Sequence, residues 1–187
     1  MRKHLLCLLA VGGLCAAGAT AGAAMQSQAE ERASQIDYDG FAALTNELGE
    51  YRQSRLLHKD DFFRRAALPG ALLLDTRSAA AFEAGHIEGA VNLPFSDFTE
   101  ESLREVIGPN PNRPIFIYCN NNFADDAAPV IAKKAPLALN IPTFINLYGY
   151  GYENIWELDG VMLTADVAWV GDLPQQAMTG LPAALPN

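Results

Sequence analysis

Basic residues are scarce in this chain. It carries 13 Lys and Arg against 22 Asp and Glu, a formal net charge of −9 over 187 residues. A surface of that sign repels phosphate backbones and anionic headgroups, so nucleic acid and anionic membrane are excluded as natural partners. Cysteine is nearly absent, with only Cys7, Cys15 and Cys119. No internal repeat is present, which excludes solenoid and propeller architectures. The longest apolar stretch, Leu5 to Ala19, is broken by Gly12, Gly13 and Gly18. It is too short and interrupted for a membrane span, which needs about 20 apolar residues in a row.

That stretch has a different reading. Arg2, Lys3 and His4 make a basic start, the apolar run follows, and Ala21-Gly22-Ala23 is a small-x-small cleavage pattern. The expectation is a secretory signal peptide over residues 1–23 and a periplasmic or secreted protein with no membrane attachment after cleavage. Leu14 stands where a lipoprotein signal has a small residue before its cysteine, which argues against lipidation at Cys15. Loss of the leader removes two of the 13 basic residues and none of the 22 acidic ones, so the net charge moves from −9 to −11. It also removes Cys7 and Cys15. Cys119 is then the only thiol, and no intramolecular disulfide can form. A lone thiol in an oxidising compartment must be buried or used.

Residues 24–35 are polar and Ala-rich and read as a linker. From Ile36 on, strands and helices are expected to alternate. Asp37 or Asp39 caps a helix that presents Phe41, Leu44, Leu48 and Tyr51. Residues 55–58 make a short strand, and a helix over 59–68 stops at Pro69-Gly70. Ala71-Leu72-Leu73-Leu74 is the continuous apolar run of a strand buried on both faces. Ser78 caps a helix over 79–84 that Gly85 ends. Thr99 and Ser102 stand at the next helix start, with Leu103, Val106 and Ile107 facing inward. Thr143 to Leu147 reads as the last strand, and Ile155 and Trp156 as part of a short helix. The expected fold class is α/β, a parallel sheet covered by helices on both faces.

The chemistry centres on Ile115-Phe116-Ile117-Tyr118, a strand-like run that stops at Cys119. Asn120, Asn121, Asn122, Phe123 and Ala124 follow, then Asp125 and Asp126. A thiol at a strand end, followed by residues that tolerate αL geometry, can be held over backbone N–H groups. Such donors together with a helix N-terminus lower a thiol pKa, and the thiolate is the reacting form. The plain alternative is an inert buried cysteine.

Four segments in order resemble the rhodanese-like family over Leu72 to Gly160. Asp75-Thr76-Arg77 resembles its Asp-x-Arg after a strand. Gly85-His86-Ile87-Glu88-Gly89-Ala90-Val91-Asn92-Leu93-Pro94 is similar to its Gly-His-Ile-x-Gly-Ala-x-Asn-x-Pro segment. Ile115 to Cys119 matches its cysteine strand. Leu147-Tyr148-Gly149-Tyr150-Gly151, with Trp156 downstream, approximates its Leu-x-Gly-Gly turn. The resemblance implies a parallel sheet of about five strands, a domain over 36–160 and a tail over 161–187. It implies that Cys119 is a nucleophile carrying a persulfide, cradled by N–H groups from Asn120 to Ala124. Asp75 and Arg77 would be scaffold and His86 would fix its turn. The reaction would need no metal or organic cofactor, only a small-molecule or protein-bound sulfur donor and an acceptor.

The loop departs from the family's Cys-x-x-Gly-x-Arg. Asn122 stands for the Gly and would take its positive φ; Ala124 stands for the Arg that meets anionic donors. Asp125 and Asp126 would oppose anions and thiolate formation. They also leave the Cys-x5-Arg phosphatase relatives without support. Pro129 is expected in the first turn of a following helix that carries Val130, Ile131 and Ala135. The expectation is a sulfurtransferase-type protein that handles thiosulfate poorly. The competing readings are a rhodanese-fold binding module, with Tyr148, Tyr150 and Tyr152 as an aromatic rim or a packed turn, and a redox thiol working with a partner.

Overall fold

The computed structural model describes residues 35–174. The leader expected over 1–23 and nearly all of the linker lie outside the described residues, as does the chain beyond 174. Among the described residues, 35–41 belong to one compact unit and 42–174 to another. In the first, Asp37 Oδ1 accepts the Gly40 N–H at 2.8 Å, the cap expected for helix α1, Tyr38–Gln53.

The second unit alternates strands and helices. They are β1 (Leu56–His58), α2 (Lys59–Ala66), β2 (Leu72–Asp75), α3 (Ala79–Ala84), β3 (Gly85–Ile87), β4 (Val91–Asn92), α4 (Glu100–Ile107), β5 (Ile115–Tyr118), α5 (Asn140–Gly149), β6 (Ile155–Asp159) and β7 (Trp169–Gly171). Five strands form a parallel sheet in the order β1-β6-β5-β2-β4. Residues in β2 and β5 pair in register, Leu72 with Ile115 through Asp75 with Tyr118. Side chains alternate across the sheet. Leu72, Leu74, Ile115 and Ile117 therefore join Leu103, Ile107, Phe144 and Leu147 in one core layer under α4 and α5. Leu73, Phe116 and Tyr118 join Phe62, Ile87 and Val130 in the other, under α2. Burial on both faces is why β2 is apolar from Leu72 to Leu74 and β5 from Ile115 to Ile117.

The caps form as expected. Ser78 Oγ accepts from Ala81 N–H at 3.3 Å at the start of α3. Thr99 and Ser102 form a capping box on α4.

Three expectations fail. Thr143–Leu147 is not a strand but the middle of α5, where buried Asn140, Thr143, Phe144 and Leu147 fall at i, i+3, i+4 and i+7. A β-branched and aromatic run of five cannot by itself distinguish a strand from a buried helix turn. Ile155 and Trp156 belong to β6 rather than to a helix, because the core strand beside β5 is there. No helix follows the cysteine loop directly. Pro129 sits in irregular chain after a cis Ala128-Pro129 bond, and only a short 3-10 turn, Ala135–Leu137, intervenes before α5. Val130 is buried there, while Ile131 is exposed.

The segment after Gly160 is ordered through β7. That strand pairs antiparallel with β3, Gly85 opposite Gly171. A Cβ on Gly85 would meet the Trp169 indole at 2.7 Å, and one on Gly171 would meet the Ala84 carbonyl at 2.5 Å. Glycine is what lets the two backbones approach. No helix among the described residues is long and apolar enough to cross a membrane.

Candidate active site

Cys119 stands in extended conformation at the carboxyl end of β5, the edge where ligand sites of parallel sheets lie. It is the free cysteine of the described residues and is 1% exposed. Continuing the alternation of Ile115 and Ile117 puts its side chain on the α5 face.

The donors directed at its sulfur are the backbone N–H groups of Asn140, Asn121 and Leu139. Two of the three come from the start of α5, where N–H groups lack partners within the helix. The expected cradle from Asn120 to Ala124 is thus corrected. Asn121 contributes, but Asn122 N–H bonds to Cys119 O at 3.1 Å, Phe123 N–H to Asn120 O at 3.0 Å and Ala124 N–H to Met162 O at 2.8 Å. The loop makes one 3-10 turn and then leaves along Met162, so those donors are already used.

Asn122 works through its side chain. Oδ1 accepts from Cys119 N–H at 2.9 Å and from Asn140 Nδ2 at 3.2 Å. Nδ2 donates to Leu158 O at 2.9 Å and Gly160 O at 3.1 Å. It ties the ends of β5, β6 and the start of α5 together. It does not take the positive φ expected in place of glycine: among described non-glycine residues only Asp126 does, at 43°. Asn140 Oδ1 is buried without a hydrogen-bond partner.

Burial pushes the Cys119 thiol pKa up, and the three N–H groups only partly offset this. The depressed thiol expected from the cradle is therefore not found, because desolvation outweighs the donors. The charge that also raises it is Glu157, not Asp125 or Asp126. Glu157 sits on β6 beside Ile117 and is held by Arg52 through bonds of 2.8 and 2.6 Å. Asp125 binds Thr164 N–H and Oγ1 at 2.8 and 3.0 Å, and Asp126 accepts Ala132 N–H at 2.8 Å. Both aspartates are turned to holding loops.

Arg77 is fully enclosed. It donates to Asp75 Oδ2 at 2.6 Å, to Gly85 O at 2.8 Å and to Pro129 O at 3.3 Å. Burial works against its charge, but the Asp75 bonds and charge outweigh that and raise its pKa. Tyr118 Oη donates to the same Asp75 Oδ2 at 2.6 Å and accepts from Ile87 N–H at 3.2 Å. Burial, then the Asp75 charge, pushes the phenol far up. Asp75 and Arg77 are thus a buried joint between β2, β3 and the cysteine-loop side. His86 stacks on Phe82 at 3.7 Å and bonds its carbonyl through Nδ1 at 2.8 Å, which fixes its turn.

Tyr148, Tyr150 and Tyr152 do not rim the site. Tyr148 packs on Tyr51, and Tyr152 is buried just ahead of β6. The Ile115 N–H bonds Asn154 O at 2.9 Å, so this turn lies at the amino edge of the sheet, opposite Cys119. A cavity of about 530 Å³ opens at the carboxyl edge between His58, Lys59, Gly160 and Met162, but Cys119 does not line it. Residues 147–151 end α5 and its turn, whereas Leu158-Asp159-Gly160 stands at the end of β6. Leu139, Asn140 and Glu157 went unnoticed in the sequence. Pro142, in the first turn of α5, was the usable signal for the first two, since proline is favoured there.

An uncharacterized Bacillus subtilis protein, YqhL, is 31% identical over 85 residues, 46% of this chain and 63% of that protein. The chain thus spans less than two thirds of that relative. Solved structures of similar fold include a rhodanese-like domain from Anabaena (17% identity, 60% of this chain and 98% of that one, TM-score 0.40). Another is a polysulfide-sulfur transferase homodimer from Wolinella succinogenes (18%, 70% and 89%, TM-score 0.43). A third is a single-domain sulfurtransferase from Saccharomyces cerevisiae (14%, 58% and 85%, TM-score 0.39). Residues 59–162, more than half of the chain, match the family described as Rhodanese-like domain. The chain belongs to the rhodanese-like domain family.

Proposed function

We propose that this protein is a sulfurtransferase-type carrier in which Cys119 takes up sulfane sulfur as a persulfide and passes it on. The observation that carries the reading is the single strand-end cysteine with the N–H groups of Asn121, Leu139 and Asn140 directed at its sulfur. In the first step the Cys119 thiolate attacks the terminal sulfur of a donor R–S–SH. The new S–S bond forms, the donor S–S bond breaks, and R–S⁻ leaves. The product, Cys119–S–SH, places its sulfurs among those N–H donors. An acceptor nucleophile then attacks the outer sulfur, carries it off with its proton and restores the thiolate. No metal or organic cofactor enters either step.

Thiosulfate is a poor donor in this reading. Position 124 is alanine, and Arg77 is committed to Asp75, Gly85 and Pro129. The leader-like residues 1–23 favour an exported setting, in which a single thiol has no cysteine partner. The test is intact mass after incubation with sulfur donors. Wild type should gain one sulfur from at least one donor, small or protein-borne, and Cys119→Ser none. A labelled persulfide on the Ser variant refutes the assignment, as does thiosulfate:cyanide transfer at the rate of family members that have the loop arginine. A non-catalytic binding module is the second reading, favoured by the 1% exposure of the thiol. An unchanged mass with every donor selects it.

A further inference from the structure

The chain between the cysteine loop, where the thiol is 1% exposed, and α5 has two halves. Its first half is anchored. Ala124 and Asp125 bond Met162 and Thr164, Arg77 holds the Pro129 carbonyl, and Val130 is fully buried. Its second half is different. Ile131 to Leu137 are all exposed. This stretch is tied to the cysteine loop by three hydrogen bonds from the side chains of Asn120 and Asn121, beside the bond from Ala132 N–H to Asp126 Oδ1 at 2.8 Å. Asn120 Nδ2 donates to Ile131 O at 2.8 Å; Asn121 Nδ2 donates to Lys133 O at 2.6 Å, and Asn121 Oδ1 accepts Lys133 N–H at 3.1 Å. Asn121 thereby has its backbone N–H on the sulfur and its side chain on the strap. Just beyond the strap, Leu139 and Asn140 put their own N–H groups on the same sulfur.

We propose that Asn120 and Asn121 are latch residues that hold residues 131–133 over the cysteine loop. Cys119 then exchanges sulfur only with a protein-borne donor able to displace the strap, not with free small molecules. The donor class rests on the sulfur-carrier reading above; the latch itself does not. The outer face of the strap gives such a protein a surface to meet. Ile131 and Leu137 are 58% and 66% exposed, and Lys133 and Lys134 between them are exposed cations on a chain of net charge −9. A persulfide-bearing protein can displace the three bonds by covering that face. A free polysulfide has no comparable contact to offer.

The latch is read by alkylation of the full chain with iodoacetamide, followed at the Cys119 peptide by mass spectrometry. Asn121→Ala removes two of the three bonds and should speed alkylation about tenfold, the size expected for two net hydrogen bonds. Lys133→Pro removes the strap's N–H donor while leaving the cysteine loop untouched, and stands in should the first variant not fold. Asn154→Ala, whose side chain bonds Asn112 O and the Trp156 indole at the opposite sheet edge, is the control. Melting temperatures are recorded for all. Unchanged rates in both latch variants overturn the proposal. So does a wild-type rate equal to that of free cysteine, or an acceleration that Asn154→Ala reproduces at equal loss of stability. Inorganic polysulfide then probes the donor class: Asn121→Ala should load sulfur and wild type should not. Equal loading of both overturns the exclusion of small donors. Faster alkylation with no sulfur on either protein supports the latch and overturns the sulfur-carrier reading instead.

Discussion

Replacing Arg77 by leucine should be among the most damaging single changes to this protein. The guanidinium is 2% exposed and its partner Asp75 is fully buried. Leucine would leave the Asp75 carboxylate inside the core with only the Tyr118 hydroxyl and the residue-77 backbone N–H, at 2.6 and 2.9 Å, to hold it. Breaking a buried pair by removing one partner costs about 3–5 kcal/mol, because a charge is left uncompensated. The carbonyls of Gly85 and Pro129 would each lose a donor, at about 1 kcal/mol apiece. A loss of that size takes a large part of the roughly 5–15 kcal/mol that stabilises a domain. The assay is equilibrium urea unfolding of wild type, Arg77→Leu, Asp75→Asn and the double variant. The double variant should be more stable than Arg77→Leu alone, since it no longer buries a lone charge. A loss below about 1 kcal/mol for Arg77→Leu, or strictly additive single costs, would refute the reasoning.

Other outcomes are expected. Because the Cys119 pKa is raised in the fold, the protonated thiol contributes stability that is present below the unfolded value, near pH 8.5, and lost as pH rises through the folded one; the stability of wild type relative to Cys119→Ala should therefore decline above about pH 8.5, and a relative stability that rises there contradicts this. Glu157→Gln removes a charge that opposes the thiolate, so the pH profile of Cys119 alkylation should move to lower pH, while Asp126→Asn should leave it in place; the reverse ordering returns the electrostatics to the loop aspartates. Phe144→Ala should cost about 3–5 kcal/mol in urea unfolding, and Tyr150→Ala, on the exposed turn at the far edge, under about 0.5 kcal/mol with no change in Cys119 alkylation.

Much of the sheet could be read directly. Leu72 to Leu74 and Ile115 to Tyr118 are apolar on both faces because both faces are covered, a pattern that needs no partner to be seen. Ser78, Thr99 and Asp37 cap helices through bonds to residues three positions away, so their signals are complete within a few residues of chain. Thr143 to Leu147 misled because a short β-branched run fits either period, and the deciding residue, Asn140, lies outside it. Leu147-Tyr148-Gly149 and Leu158-Asp159-Gly160 both hold a leucine two positions before a glycine, and only the sheet shows that the second ends a strand.

By itself the sequence determined the class of fold, the order of the first strands and helices, the position of Cys119 at a strand end and the loss of the loop arginine. All of these are local in the chain. The tertiary structure alone decided what surrounds the sulfur. Two of its three N–H donors come from the start of α5 and the charge that raises its pKa from β6, while Asn122, Phe123 and Ala124, close in sequence, spend their N–H groups elsewhere. It also decided the sign of the pKa shift, since desolvation depends on how the fold buries the thiol, and no stretch of sequence records that burial.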